Sequence, residues 1–311
     1  VTCCIKMSVP NRSVSHPPFF ILVGIPGMEK SHPWISIPVC VMYAAALLGN
    51  SVLLVNVGRE RRLHEPVYLL LCLLAVYDLL LTTTTVPKTL GILWSLSTHI
   101  SSSACLVQMF SIYFVFMAES AVLVAMAFDH YVAMCDPLHY AAVLTRSAGG
   151  KVILAALIRS SCIMFPAIFL LERLPYCGHN VMAHTYCEHI DVACADISLN
   201  IWYGAAAGVL SAGLDLVCIA VSYALILRCL WGLPAPRACP KALHTCGSHL
   251  SIIATFYTPA FSTLVQRFGQ HVPRHVLVTM ANLYVVVPPM LKPVVYRVRT
   301  RLLRECLAHL L

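Results

Sequence analysis

Charge is what this sequence has least of. Only 11% of its 311 residues are Asp, Glu, Lys or Arg, and the acids are scarcer, 13 against 21 bases. A soluble domain carries roughly 25% charged residues, so a mostly water-facing surface is excluded. A phosphate-cradling glycine loop of Walker or dinucleotide type is also missing, which argues against nucleotide-driven chemistry. The first 30 residues lack a basic start followed by an apolar core. No cleavable signal peptide is therefore read, and the first span is expected to direct insertion. The chain begins Val1-Thr2-Cys3-Cys4, and Met7 is the expected translational start. There is no long linker, low-complexity tract or internal repeat, so a single domain is expected.

What is present is apolar sequence, 59% of the chain. A bilayer-spanning helix needs about 20 apolar residues. Seven stretches qualify, at 34–57, 67–91, 105–128, 151–171, 199–227, 243–265 and 275–296. They are long and do not alternate strictly, which favours helices over a barrel. The fold class read from them is an all-α membrane protein, a seven-transmembrane helix bundle. The layout expected is an outer segment 1–33, a bundle 34–296 and a tail 297–311 alternating basic and apolar residues, which suits an amphipathic helix on the inner leaflet.

The net charge of +8 sorts by side. The segments after spans one, three, five and seven hold twelve cations: Arg59, Arg61, Arg62, Arg146, Lys151, Arg228, Arg237, Lys241, Arg297, Arg299, Arg301 and Arg304. The opposite side holds six, Lys6, Arg12, Lys30, Arg173, Arg267 and Arg274. Cations bias a loop toward the cytoplasm, so the N-terminus is outside and the C-terminus inside. The basic residues read as anchors on membrane lipid and a partner face, not a nucleic-acid site.

Several spans carry costly groups. Asn50 in Gly49-Asn50-Ser51 seeks a partner across a close helix contact. Asp78 in span two and Glu119 in span three are intramembrane acids, and each predicts a partner or a proton. Two acids facing one cavity could share a cation, or could both be protonated and hydrogen-bonded. No nucleophile or metal set accompanies them, so an enzyme is not read. Asn11-Arg12-Ser13 fits N-glycosylation at Asn11 on the outer side. Cys105, Cys177, Cys187 and Cys194 fall in the oxidising outer compartment. His184-Thr185-Tyr186-Cys187-Glu188-His189 has residue types suited to zinc or copper, but a disulfide at Cys187 would leave two histidines and a glutamate, and no metal site is expected.

Fixed motifs then narrow the family. They are Leu63-His64-Glu65-Pro66-Val67-Tyr68, Met126-Ala127-Phe128-Asp129-His130-Tyr131-Val132-Ala133-Met134-Cys135, Lys241-Ala242-Leu243-His244-Thr245-Cys246-Gly247-Ser248-His249, and Pro288-Pro289-Met290-Leu291-Lys292-Pro293-Val294-Val295-Tyr296. Over 16–304 the chain resembles the odorant receptors, a branch of the rhodopsin-like G-protein-coupled receptors. Phe19, Leu22, Gly24-Ile25-Pro26-Gly27 and Trp34-Ile35-Ser36-Ile37-Pro38 look like class I, close to its subfamilies 51 and 52.

The resemblance implies roles for particular residues. Asp129, His130 and Tyr131 form the G-protein-coupling hook, and Pro293 and Tyr296 a switch in span seven. Asp78, Glu119 and Asn50 would line a water and sodium pocket, sodium being the only cofactor implied. Cys105–Cys187 would be a disulfide, and Cys177–Cys194 a second, across a loop shorter than the family's. Arg267 would clamp a ligand carboxylate, with His189 and Ile190 beside it and Tyr113, Met117, Phe256 and Tyr257 as apolar lining. A guanidinium at a half-buried mouth can pair with a carboxylate bidentately. An alternative is a solvated Arg267 or an ion pair with Glu188.

Two positions depart from the family. His130 stands where it has arginine, and histidine is shorter and near neutral at cytosolic pH. Lys292 stands where it has asparagine and is placed to pair with Asp78 or Glu119 and close that site. The expectation is a plasma-membrane odorant receptor that binds a small volatile, of carboxylic-acid type, and raises cAMP through a heterotrimeric olfactory stimulatory G protein. Its alternative is a decayed receptor gene's product that keeps the fold and loses signalling. A transporter would need related halves or broken helices with midplane ion sites.

Overall fold

The computed structural model describes residues 17–60, 65–143, 145–174, 180–187, 196–231, 245–258 and 273–299. The helices are α1 (His32–Arg59), α2 (Pro66–Leu93), α3 (Ser102–Cys135), the short α4 (Tyr140–Val143), α5 (Arg146–Glu172), α6 (Ser198–Trp231), α7 (245–258) and α8 (Arg274–Arg299). Seven of them make the transmembrane bundle. Among the described residues, six are long and apolar enough to cross a membrane, and α7 is the seventh.

Local chemistry sets where the helices start. Proline opens the first turn of α1 and of α2, where its missing N–H costs nothing. Ser101 Oγ accepts from the Ala104 N–H at 3.3 Å, and Thr145 Oγ1 from that of Ala148 at 3.1 Å, capping α3 and α5. The helices outrun the apolar stretches that foretell them. Span three, expected to end at 128, continues to Cys135, so the whole Asp129-His130-Tyr131 hook is helical. Span four begins at Arg146 rather than 151, and span five runs to Trp231 rather than 227. A helix satisfies its own backbone whatever the side chain, so it need not stop where hydrocarbon does.

Helices α2 and α3 lie at the centre and are the most enclosed; α1, α5 and α6 are peripheral. Leu48, Phe165, Val107 and Leu214 accordingly point outward, as lipid-facing side chains do without penalty. One apolar core runs through the bundle from Val39 to Tyr296. Gly49 lets α1 approach α8 closely: a Cβ there would lie 2.8 Å from Pro293 Cγ.

The outer end carries a small sheet that helix-period reasoning does not foresee. Strand β1 (Phe19–Leu22) lies between β2 (His99–Ser101), antiparallel to it, and β3 (Val181–Met182), parallel to it. The pairs Phe20↔Ile100 and Ile21↔Val181 set the register. Phe20, Leu22 and Met182 pack with Ile92, Met109 and Leu171 in a second core. Cys105, at the start of α3, is bonded to Cys187 in the second outer loop, with Cα atoms 5.4 Å apart. Gln108 fastens the same junction, accepting from the Cys187 N–H and donating to the Thr84 carbonyl, both at 2.9 Å.

Candidate functional site

Polar groups inside the bundle gather in three clusters, two of them at the depth of the adjacent residues Glu119 and Ser120 on α3. The first is a buried charge triad. Lys292 Nζ on α8 donates to Asp78 Oδ1 on α2 and to Glu119 Oε2 on α3, each at 2.8 Å. The three side chains are 3%, 1% and 2% exposed, so all are dry. Ion pairs in a low-dielectric interior are held strongly once formed, because separating them leaves bare charge. The ammonium also stands 5.6 Å above the Phe256 ring. Asn50, expected in the same pocket, turns instead to backbone: its Nδ2 donates to the carbonyls of Ala46 at 2.9 Å and Pro289 at 3.0 Å. It ties α1 to α8 one turn before Lys292.

A second node joins four helices. Arg159 on α5 grips Asp215 on α6 in a fork, with Nη1 to Oδ1 and Nη2 to Oδ2 both 2.6 Å, and Nη2 also donates to Ser211 at 3.0 Å. The Ser120 hydroxyl on α3 donates to Asp215 and lies 2.5 Å from the Tyr257 hydroxyl on α7. Forked Arg–carboxylate pairs are both strong and directional. The sequence reading passes over Arg159 and Asp215. The signal is there: opposite charges sit near the middles of spans four and five, and intramembrane charges pair.

Met117 and Phe256 are buried, and Phe256 stacks on Phe116 with centroids 5.0 Å apart. Tyr257, expected as apolar lining, is instead polar at its tip because its hydroxyl belongs to the Ser120 node. Tyr113 is 36% exposed. Arg267, His189 and Ile190 lie outside the described residues, as do Cys177, Cys194, Asn11 and the tail beyond Arg299. The disulfide takes Cys187 out of the metal-type cluster of the second outer loop, and Glu188 and His189 lie outside the described residues.

The third cluster is at the cytoplasmic end, where a cavity of about 620 Å³ is lined by Glu65, Asp129, His130, Tyr140, His249 and Tyr296 among others. It lies below the expected ligand level, and none of the expected ligand residues lines it. His130 is buried, with Nδ1 3.7 Å from Asp129 Oδ2, beyond hydrogen-bond length. Asp129 is held by another group: the Tyr140 hydroxyl donates to its Oδ1 at 3.0 Å. Burial first, and then the Asp129 carboxylate, push the Tyr140 phenol above its ordinary range and keep it a donor. The His130 ring meets His249 edge-to-face at 5.2 Å, and His249 Nδ1 lies 2.8 Å from the Tyr223 hydroxyl. Tyr131 is half-buried, and the Tyr296 hydroxyl reaches Met126 Sδ at 3.7 Å. Asp129 and His130 from α3 and Tyr296 from α8 thus line one crevice.

Comparison with known proteins agrees with this layout. The olfactory receptor family profile matches residues 39–311. Human olfactory receptor 52B2 is 52% identical over 307 residues, covering 97% of this chain and 95% of that protein. Human olfactory receptor 52D1 is 51% identical over 311 residues, with 98% of each covered. Human olfactory receptor 51I2 is 46% identical over 299 residues, or 95% of this chain and 96% of that protein. Likeness of this degree and extent, on a seven-helix bundle with the hook and switch at one end, means that the chain belongs to the olfactory receptor family.

Proposed function

We propose that this receptor takes small carboxylic acids and signals through the stimulatory olfactory G protein to cAMP. As a family member it is a multi-pass protein of the plasma membrane, a receptor and not an enzyme, that binds small odorants and couples to G proteins. The acid preference rests on one observation in the sequence: Gln266-Arg267-Phe268-Gly269 supplies an arginine just past span six, in a chain whose bundle buries the apolar Met117 and Phe256. A guanidinium over an apolar well suits a carboxylate with a short hydrocarbon tail. Ile190, where some acid-binding relatives have a glutamine, favours an apolar tail over a polar one. In this reading 1–33 is outer and bears a glycan on Asn11, 34–296 is the receptor domain, and 297–311 rests on the inner leaflet. Cys177 and Cys194 form a second outer bridge.

A ligand drives signalling only by binding the active conformation better than the resting one. Surface-expressed receptor screened with short and medium fatty acids should raise cAMP. Arg267→Ala should remove those responses at unchanged surface level, and a fully responsive Arg267→Ala receptor would end the acid reading.

A second reading keeps binding and loses signalling. It is favoured by the 3.7 Å gap between His130 and Asp129, where the family's arginine would bind, and by Lys292 in the triad. His130→Arg should raise agonist-driven cAMP several-fold. Equal signalling by both forms would show that the histidine costs nothing.

A further inference from the structure

We infer that the Lys292 ammonium is a built-in counter-ion occupying the place of a sodium ion between Asp78 and Glu119, so that the centre of this receptor is indifferent to sodium. The resemblance to rhodopsin-like receptors implies sodium at these two acids, but the residues present do not fit it. A hard cation needs a shell of oxygens. Here the inward oxygen of each carboxylate already accepts from Nζ at 2.8 Å. Asn50, the third group expected there, points its amide nitrogen, which cannot ligate a cation, at the carbonyls of Ala46 and Pro289. What remains are Asp78 Oδ2 and Glu119 Oε1, buried and without hydrogen-bond partners. A sodium ion using them would sit beside a fixed positive charge, and like charges repel strongly where water is excluded.

The lysine is also held in place. Asn50 fastens the Pro289 carbonyl three residues before it, and Gly49 receives the Pro293 ring directly after it. The helix carrying the ammonium is therefore clamped to α1 on both sides of Lys292. A tethered, positioned cation gives up no translational freedom on pairing, whereas a free ion must. The ammonium also stands 5.6 Å above the Phe256 ring on α7, so this one side chain of α8 reaches α2, α3 and α7.

The test needs neither odorant nor G protein, so it stands or falls apart from the proposed ligand and signalling. Full-length receptor in detergent is melted in NaCl or in choline chloride, both at about 0.15 M so that screening is equal. Wild type should show the same midpoint in both salts. Lys292→Asn should melt lower in choline and regain about 3–5 °C with sodium, saturably, as linkage predicts for an ion near ten times its dissociation constant. A saturable sodium shift in wild type that Asp78→Asn removes would overturn the inference. So would a Lys292→Asn receptor as sodium-blind as wild type. If that variant does not accumulate, Lys292→Gln takes its place, and the wild-type comparison decides on its own.

Discussion

A Lys292→Met receptor should lose about 3–5 kcal/mol of stability, the cost of breaking a buried ion pair from one side. Methionine keeps most of the volume and the apolar stem, so the loss comes from charge. Without the ammonium, Asp78 and Glu119 face each other in a dry site, where the repulsion of two carboxylates is relieved only by taking up a proton. Removing the acids as well should return most of the loss, since a well-packed neutral core is often as stable as an ionic one. Lys292→Met combined with Asp78→Asn and Glu119→Gln should therefore melt near wild type in lipid nanodiscs. If the triple variant melts no higher than the single one, the charges are not what hold these three helices together.

Asp215→Ala should cost about 2–3 kcal/mol, somewhat less because Arg159 is partly exposed and can relax. Asp215 accepts from both terminal Arg159 nitrogens and from Ser120, and its loss leaves Arg159 with Ser211 and Ser120 with Tyr257. Arg159→Ala should cost a similar amount, because it leaves Asp215 buried with only Ser120 to answer its charge. The pair should be strongly non-additive, so that the double variant is about as stable as either single one. Melting curves of the four receptors give the coupling directly. Simple summation of the two losses would mean that the fork contributes nothing as a pair.

The spans are legible in the sequence because hydrocarbon imposes a length and a polarity that few other environments do. Lys292 is legible for a related reason: a cation in span seven, in a chain with acids in spans two and three, has few other places to find a counter-charge. Arg159 and Asp215 follow the same rule but stand in long apolar runs with no motif around them, so nothing draws attention to them. The cap sheet is beyond such reading. Its strands are two to four residues long and β1 pairs with β3 across about half the chain, and so short a segment shows no period. Tyr140 is visible as a residue but not as a partner. That its hydroxyl reaches Asp129 depends on how the chain turns between Cys135 and α4, and no sequence pattern encodes that turn.

The position of β1 dictates an order of biogenesis. Its antiparallel neighbour follows α2, but its parallel neighbour is synthesised only after α5 has crossed the bilayer. Until then Phe20 and Leu22 wait in the lumen without the cover of Met182, and Cys105 waits without Cys187. Contacts so distant along the chain form late and leave apolar surface open meanwhile. The N-terminal strand and its late partner thus form a latch that closes only once the first four membrane helices are in place, and a nascent chain stalled before that point shows luminal chaperones an open hydrophobic edge.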